Sequence, residues 1–153
     1  MRSRALALEP SFAFGHYVLA GAYLKQKRFD DATREAAAAW ELGRDPRSLV
    51  RAALSEAAAG RMDVARGFLD RLEQLSRERF VSSYALATLL AATGRTEDAF
   101  ARLERAASEL PPGQYRRLLQ NDPLLAPLRK DARYARLTDL PDVEERPPAS
   151  RPR

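Results

Sequence analysis

The feature that most constrains this chain is a recurrence. Ala32, Ala65 and Ala99 stand 33 and 34 residues apart in similar surroundings. The three stretches read KRFDDATREAAA, GRMDVARGFLDRL and GRTEDAFARLERAA. In each, a turn leads into an acidic or capping residue, then the alanine, then apolar residues at helical spacing. A period near 34 residues is that of stacked helical hairpins, because one such unit cannot bury its apolar face alone. Arrays of this kind bind far more often than they catalyse. Binding is therefore the expected class of activity.

Composition narrows the reading. A length of 153 residues fits one domain. An excess of Ala, Leu, Arg and Glu, with few β-branched residues, favours helix. No apolar run approaches the roughly 20 residues of a membrane helix. The N-terminal MRSRALALEPSF has an apolar stretch only from Ala5 to Leu8, too short for a secretory leader. With no cysteine there is no disulfide framework and no thiolate chemistry. A cytoplasmic protein is expected. The net charge of +5 raises the question of nucleic acid. The arginines, however, are interleaved with Asp and Glu, and Lys25, Lys27 and Lys130 are the only lysines. That pattern reads as solvated helix faces, so neither nucleic acid nor membrane is the expected partner.

Residues 1–12 read as the end of a preceding helix or repeat, stopped by Pro10. The spacing of Phe12, Tyr17, Leu19, Ala20, Tyr23 and Leu24 predicts a helix from about Phe12 to Lys25. Lys27 and Arg28 make a turn, and Asp30 is a plausible N-cap for a second, alanine-rich helix to Leu42, ended by Gly43. Asp45-Pro46 opens the next hairpin, which pairs 46–59 with 63–75 about Gly60-Arg61. A third pairs 81–92 with 97–109 about Gly94-Arg95, with Thr96 as a cap. Leu110-Pro111-Pro112-Gly113 breaks the rhythm. Short helical pieces over about 113–120, 123–129 and 131–139 follow. The proline-rich stretch from Pro141 is expected to be disordered. The predicted organisation is thus a lead-in (1–12), three hairpins (13–110), a helical cap (111–140) and a tail (141–153).

The residues also match a family. HYVLAGAYLKQKRFDDA, with Leu19, Ala20, Tyr23, Phe29 and Ala32, resembles a tetratricopeptide repeat. The third unit does so equally, through Leu86, Ala87, Leu90, Gly94, Ala99, Leu103 and Ala106. The second fits at Ala53, Gly60, Ala65 and Leu72, but has Glu56 where the family has an aromatic. The resemblance covers about residues 5–110. It implies an all-α solenoid of three hairpins, with Ala20, Ala53 and Ala87 where paired helices touch. NDPLLAPLRKDARYARL, residues 121–137, is similar to a closing motif that follows the last repeat in many bacterial proteins. Those are often multidomain regulators with a winged-helix, adenylate cyclase-like or protein kinase domain ahead of the repeats. The resemblance implies that this chain is a C-terminal piece, or a truncated relative, of such a regulator. The motif also makes physical sense alone. Leu124, Leu125, Leu128, Tyr134 and Leu137 would cover the last apolar face, with Arg129 and Arg133 pairing to Asp122 or Asp131.

Chemistry-bearing constellations are sparse. His16 is the only histidine, and its neighbours offer no metal ligands. It reads as a packing residue. The serines lack a nucleophile-elbow context. Asp30-Asp31 reads as an acidic first turn opposing the helix dipole. The glycines lie at hinges and form no phosphate loop. No catalytic, cofactor or metal residue is therefore expected. The expected site is a concave face lined by the first helix of each hairpin. Helical spacing puts Phe14, Tyr17, Val18, Gly21 and Lys25 there, then Arg47, Val50, Arg51 and Leu54, then Val81, Tyr84, Ala85 and Thr88. Such an amphipathic groove with two or three cations suits an extended peptide or a helix bearing acidic groups. A protein or peptide is the expected partner. The alternative is that this face docks further repeats or another domain.

Overall fold

A computed structural model describes residues 10–139, and their regular structure is entirely helical. The elements are α1 (Pro10–Lys25), α2 (Phe29–Gly43), α3 (Pro46–Ala58), α4 (Met62–Leu75), α5 (Ser83–Ala92), α6 (Thr96–Glu109) and α7 (Pro112–Asn121). A 3-10 segment (Pro123–Leu128) and α8 (Ala132–Thr138) complete them. None of these helices is long and apolar enough to cross a membrane. The chain divides after Val81 into two compact units.

The 33- and 34-residue recurrence is written into the backbone. The α1–α2, α3–α4 and α5–α6 connections repeat one turn. Lys27, Gly60 and Gly94 all take positive φ, at 59°, 82° and 80°. The following residue is an arginine each time, and its N–H reaches back five residues. Arg28 donates to the Tyr23 carbonyl at 2.9 Å, Arg61 to Glu56 at 2.9 Å and Arg95 to Leu90 at 2.8 Å. This left-handed turn satisfies carbonyls that the helix end would otherwise strand. The same arginines accept the amide of Ala32, Ala65 and Ala99. Each repeating alanine is fully buried, which explains its size.

Arginine, not an acidic residue, therefore holds the N-cap position of α2, α4 and α6, and none of the three makes a side-chain cap. The expectation that Asp30 and Thr96 cap their helices is corrected. Both lie inside the first turn, because the reach-back bond starts the helix earlier. Asp30 and Asp31 instead oppose the dipole of α2. Gly43 is the last residue of α2, and the left-handed residue is Arg44, with φ 52°. The expected caps are found elsewhere. Asp45 accepts the Arg47 amide with Pro46 behind it, and Ser82 accepts that of Ala85.

In the first unit α1 packs on α2, α2 on α3 and α3 on α4, and α1 also touches α3. Its centre is made of small side chains. Ala20, Ala36 and Ala52 are fully buried and Phe68 packs against them. Ala53 is buried too. Alanine at a crossing lets two backbones approach closely, so density comes from proximity rather than from side-chain volume. Pro10 begins α1, consistent with proline's tolerance in a first turn. The lead-in expected over 1–12 lies otherwise outside the described residues, as does the tail from 141.

In the second unit α5 packs on α6, the 3-10 segment lies against α5, and α7 and α8 lie against α6. Leu86, Leu89, Leu90, Leu103, Leu119, Leu125 and Leu128 are almost wholly buried. Ala87 is buried among them. Leu124 is an exception to the expected cap, being 40% exposed. The 3-10 segment has three residues per turn, which turns Leu125 and Leu128 inward together and Leu124 out.

Candidate functional site

The first unit brings six of the expected site residues together. Arg51, near the middle of α3, lays its guanidinium 3.8 Å from the centre of the Tyr17 ring. Its Nη1 donates to the Tyr17 carbonyl at 2.6 Å. The group rests on Gly21, one turn further along α1. A Cβ there would stand 2.8 Å from Nη1 and 3.0 Å from Cζ. Glycine is thus what admits the arginine. Arg51 has no carboxylate partner among the described residues. Arg47 approaches the same ring at 5.5 Å. Its fork is already occupied, since Nε and Nη2 both reach Asp45. That bond holds the Asp45 carboxyl below its ordinary value, against the opposing effect of burial. Phe14 stands 6.3 Å from Tyr17 at a tilt. Phe14 is 60% and Val18 50% exposed, so an apolar shelf adjoins the cation.

The remaining expected residues separate from this cluster. Lys25 is exposed in the last turn of α1, about 12 Å along the helix from Tyr17. Val50 and Leu54 are half-buried. In the second unit the expectation of an open surface at Tyr84 and Thr88 is corrected. Tyr84 is half-buried and its hydroxyl donates to Asp122 Oδ2. Burial first, and the carboxylate second, push its phenol far above the ordinary tyrosine value. Thr88 is buried and its hydroxyl donates to the Ala85 carbonyl at 2.7 Å. Ala85 is half-buried, and Val81, the last residue of the first unit, is buried as well. The physical reason is the 3-10 segment, which lies along α5 and uses Tyr84 to tie down its own N-cap, Asp122.

Two polar networks fix the units. Glu56, the departure from the repeat pattern, is buried. It accepts from Thr33 at 2.8 Å and from Arg61, and Arg61 also reaches Asp30 at 2.6 Å. The α2 and α3 helices are thereby joined by charge where the other repeats use apolar volume. The Arg61 bond, opposed by burial, holds the Glu56 carboxyl below its ordinary value. A signal for this existed. Arg28 and Arg95 bond an aspartate three residues on, Asp31 and Asp98, but Val64 stands there after Arg61. Arg61 is left free to turn back.

In the second unit Arg133 bonds Asp131 at 2.8 Å and Glu97 at 2.6 Å, and covers the Phe100 ring at 4.4 Å. The bonds from Arg133 hold the Asp131 carboxyl down to about 2. Arg129 meets the backbone carbonyl of Asp122 at 2.6 Å rather than its carboxylate. Tyr115 donates to the Leu103 carbonyl at 2.8 Å and Tyr134 to that of Leu119. His16 faces Glu35 across the α1–α2 contact, as a packing residue would.

Comparison with protein-family models, with curated proteins and with solved structures gives no match.

Proposed function

We propose that the chain is a noncatalytic protein-interaction scaffold, built as a tetratricopeptide-like array of three hairpins and a cap. Its partner is a peptide or partner domain that lays an apolar group and an acidic group on the α1–α3 face. The observation that carries this reading is the Arg51 guanidinium. It is stacked on Tyr17, anchored to backbone, seated on Gly21 and free of any described carboxylate, beside exposed Phe14 and Val18. An arginine held in this way loses little further entropy when a carboxylate arrives, and aromatic and arginine residues dominate binding energies. The repeated turns and the three buried alanines support the array.

The test is selection of ligands from a peptide library displayed on phage, followed by affinity measurements. Selected peptides should carry an acidic residue near an apolar one. Arg51→Glu should weaken them by about 2 kcal/mol or more, with helicity unchanged. Gly21→Ala should weaken them too while leaving the fold at least as stable, because the new methyl displaces Arg51 while favouring the helix. Equal binding by both variants would overturn the reading.

A second reading, that the chain is the sensing or docking segment of a bacterial signalling or transcriptional regulator, is favoured by a different observation. Phe12 and Leu19 lie two turns apart on α1 and are about 40% exposed. From Pro10 to Leu24 the helix carries no Asp, Glu, Lys or Arg, so a further domain or repeat would find an apolar landing. Phe12→Asp with Leu19→Asp should then abolish docking and leave peptide selection intact.

A further inference from the structure

The first unit holds a second cationic cluster, on α2 and α4 rather than α1 and α3. Its centre is Trp40, the only tryptophan, 6% exposed near the end of α2. Two guanidinium groups flank the indole. Arg44, just past α2, and Arg71, on α4, each have Cζ 5.4 Å from the ring. A third, Arg79, joins them by donating Nη1 to the Arg44 carbonyl at 2.8 Å. Only Arg44 touches a carboxylate, Glu41 at 3.2 Å, and both groups of that pair are more than half exposed. Arg71 has no ion pair among the described residues. Arg79 acts through space on Asp45, but Arg47 already occupies that carboxylate. Two cations thus flank one aromatic and a third is tied to the backbone of one of them, with one loosely held anion in contact, leaving two positive charges unmatched among the described residues.

We infer that Arg44, Arg71 and Arg79 around Trp40 form a binding site for a phosphate-type dianion. Charge matching favours a dianion over a single carboxylate, since two charges stand uncompensated. Guanidinium forks present paired donors that suit phosphate oxygens. The aromatic platform holds Arg44 and Arg71 in place before a ligand arrives, and the Arg44 carbonyl holds Arg79. Little ordering remains to be done on binding. The indole nitrogen is buried and has no hydrogen-bond partner among the described residues. Emission from Trp40 is therefore governed by the ring's immediate surroundings, among them these guanidiniums, and reports directly on them.

The experiment titrates the full chain with inorganic phosphate, following Trp40 fluorescence and, in parallel, heat by calorimetry. Sodium chloride and sodium acetate at matched ionic strength are the comparison arms. Phosphate should give a saturable change in both signals that neither chloride nor acetate reproduces. Arg71→Gln and Arg79→Gln should each raise the apparent dissociation constant by about tenfold or more, as loss of a charge-assisted contact does. Arg105→Gln, an exposed arginine of the second unit, should leave it unchanged. Calorimetry keeps the comparison sound where a substitution alters the fluorescence itself. A response equal in chloride, or an unaltered constant in both cluster variants, would overturn the site and leave these cations as complements to the α2 and α4 helix ends. Saturation by acetate as tight as by phosphate would overturn the assignment of a dianion. A phenyl phosphate arm then asks whether a monoester is held as well as the free ion. Tighter binding extends the site to phosphorylated ligands, and loss of binding excludes them.

Discussion

The two units repeat the same turn and bury alanine and leucine in different proportions. The first has Ala20, Ala36 and Ala52 in contact at its centre, with Leu49, Leu69 and Leu72 buried as well. It joins α2 to α3 through a buried glutamate and a half-exposed arginine. Its surface shows Phe12, Phe14, Val18, Val64 and Phe80. The second is centred on leucine, its cap tyrosines donate to backbone carbonyls, and Leu124 is its only exposed large apolar residue among those described. Burying a leucine contributes about 1.5–3 kcal/mol, while an alanine contributes mainly by letting helices approach. The second unit spends its apolar surface on itself. The first keeps apolar and cationic groups available. Local stability and capacity to bind are therefore expected to run in opposite directions along the chain.

The comparison breaks most readily at the cap. Leu125→Ala, at a fully buried position, should cost about 2–5 kcal/mol, the usual range for a cavity of that size. Thermal melts followed by circular dichroism should lose cooperativity in the second unit. Fluorescence of Trp40, which lies in the first, should move less. Coincident shifts in both signals would show that the units melt as one.

A smaller effect is expected at Glu56. Glu56→Gln keeps an acceptor for Thr33 but removes the charge that Arg61 meets. The loss should be about 1 kcal/mol at neutral pH, discounted because the Arg61 side chain is 43% exposed. The sign of the pH dependence follows from the lowered carboxyl. Its contribution is full above the ordinary glutamate value of 4.5. It fades as the pH falls through the lower, folded value. Trp40 melts across that acid range should therefore be flatter for the glutamine variant than for the parent. An unchanged slope would remove Glu56 as the first unit's acid-sensitive element. Asp131, held down to about 2, should keep its partners in the second unit to lower pH.

The smallest effect belongs to the turn. Lys27 holds the left-handed position that glycine holds at 60 and 94. Lys27→Gly should stabilise the first unit slightly, by up to about 1 kcal/mol, as relief of left-handed strain exceeds the entropy glycine adds. Destabilisation in urea melts would mean that the lysine side chain contributes more than the backbone costs.

Much of the fold was legible in the sequence because it depends on spacing. The resemblance to the repeat placed Ala20, Ala53 and Ala87 inside, where all three are buried, and the spacing placed hinges at Gly60 and Gly94, which take positive φ. The helix boundaries were close, and misjudged where a reach-back amide replaced a side-chain cap at Asp30 and Thr96. The candidate site was legible only in part. Helical spacing gathered Phe14, Tyr17 and Arg51, but the same logic placed Tyr84 and Thr88 on an open face.

Sequence alone determined the helical class, the repeat length, the turn residues and the small residues at crossings, since all of these follow from contacts within a few turns of chain. Tertiary structure decided which charges are spent and which are free. Arg47 and Arg51 are four residues apart on one helix and look alike in the sequence. One is locked to Asp45, and the other is stacked on Tyr17 with no carboxylate partner among the described residues. Arg71 and Arg44 are 27 residues apart and meet over one indole. The reason is physical. Helix propensity and periodicity are local sums, whereas the pairing of a side chain is a competition among every group that packing brings within a few ångströms, and distance in sequence does not rank the competitors.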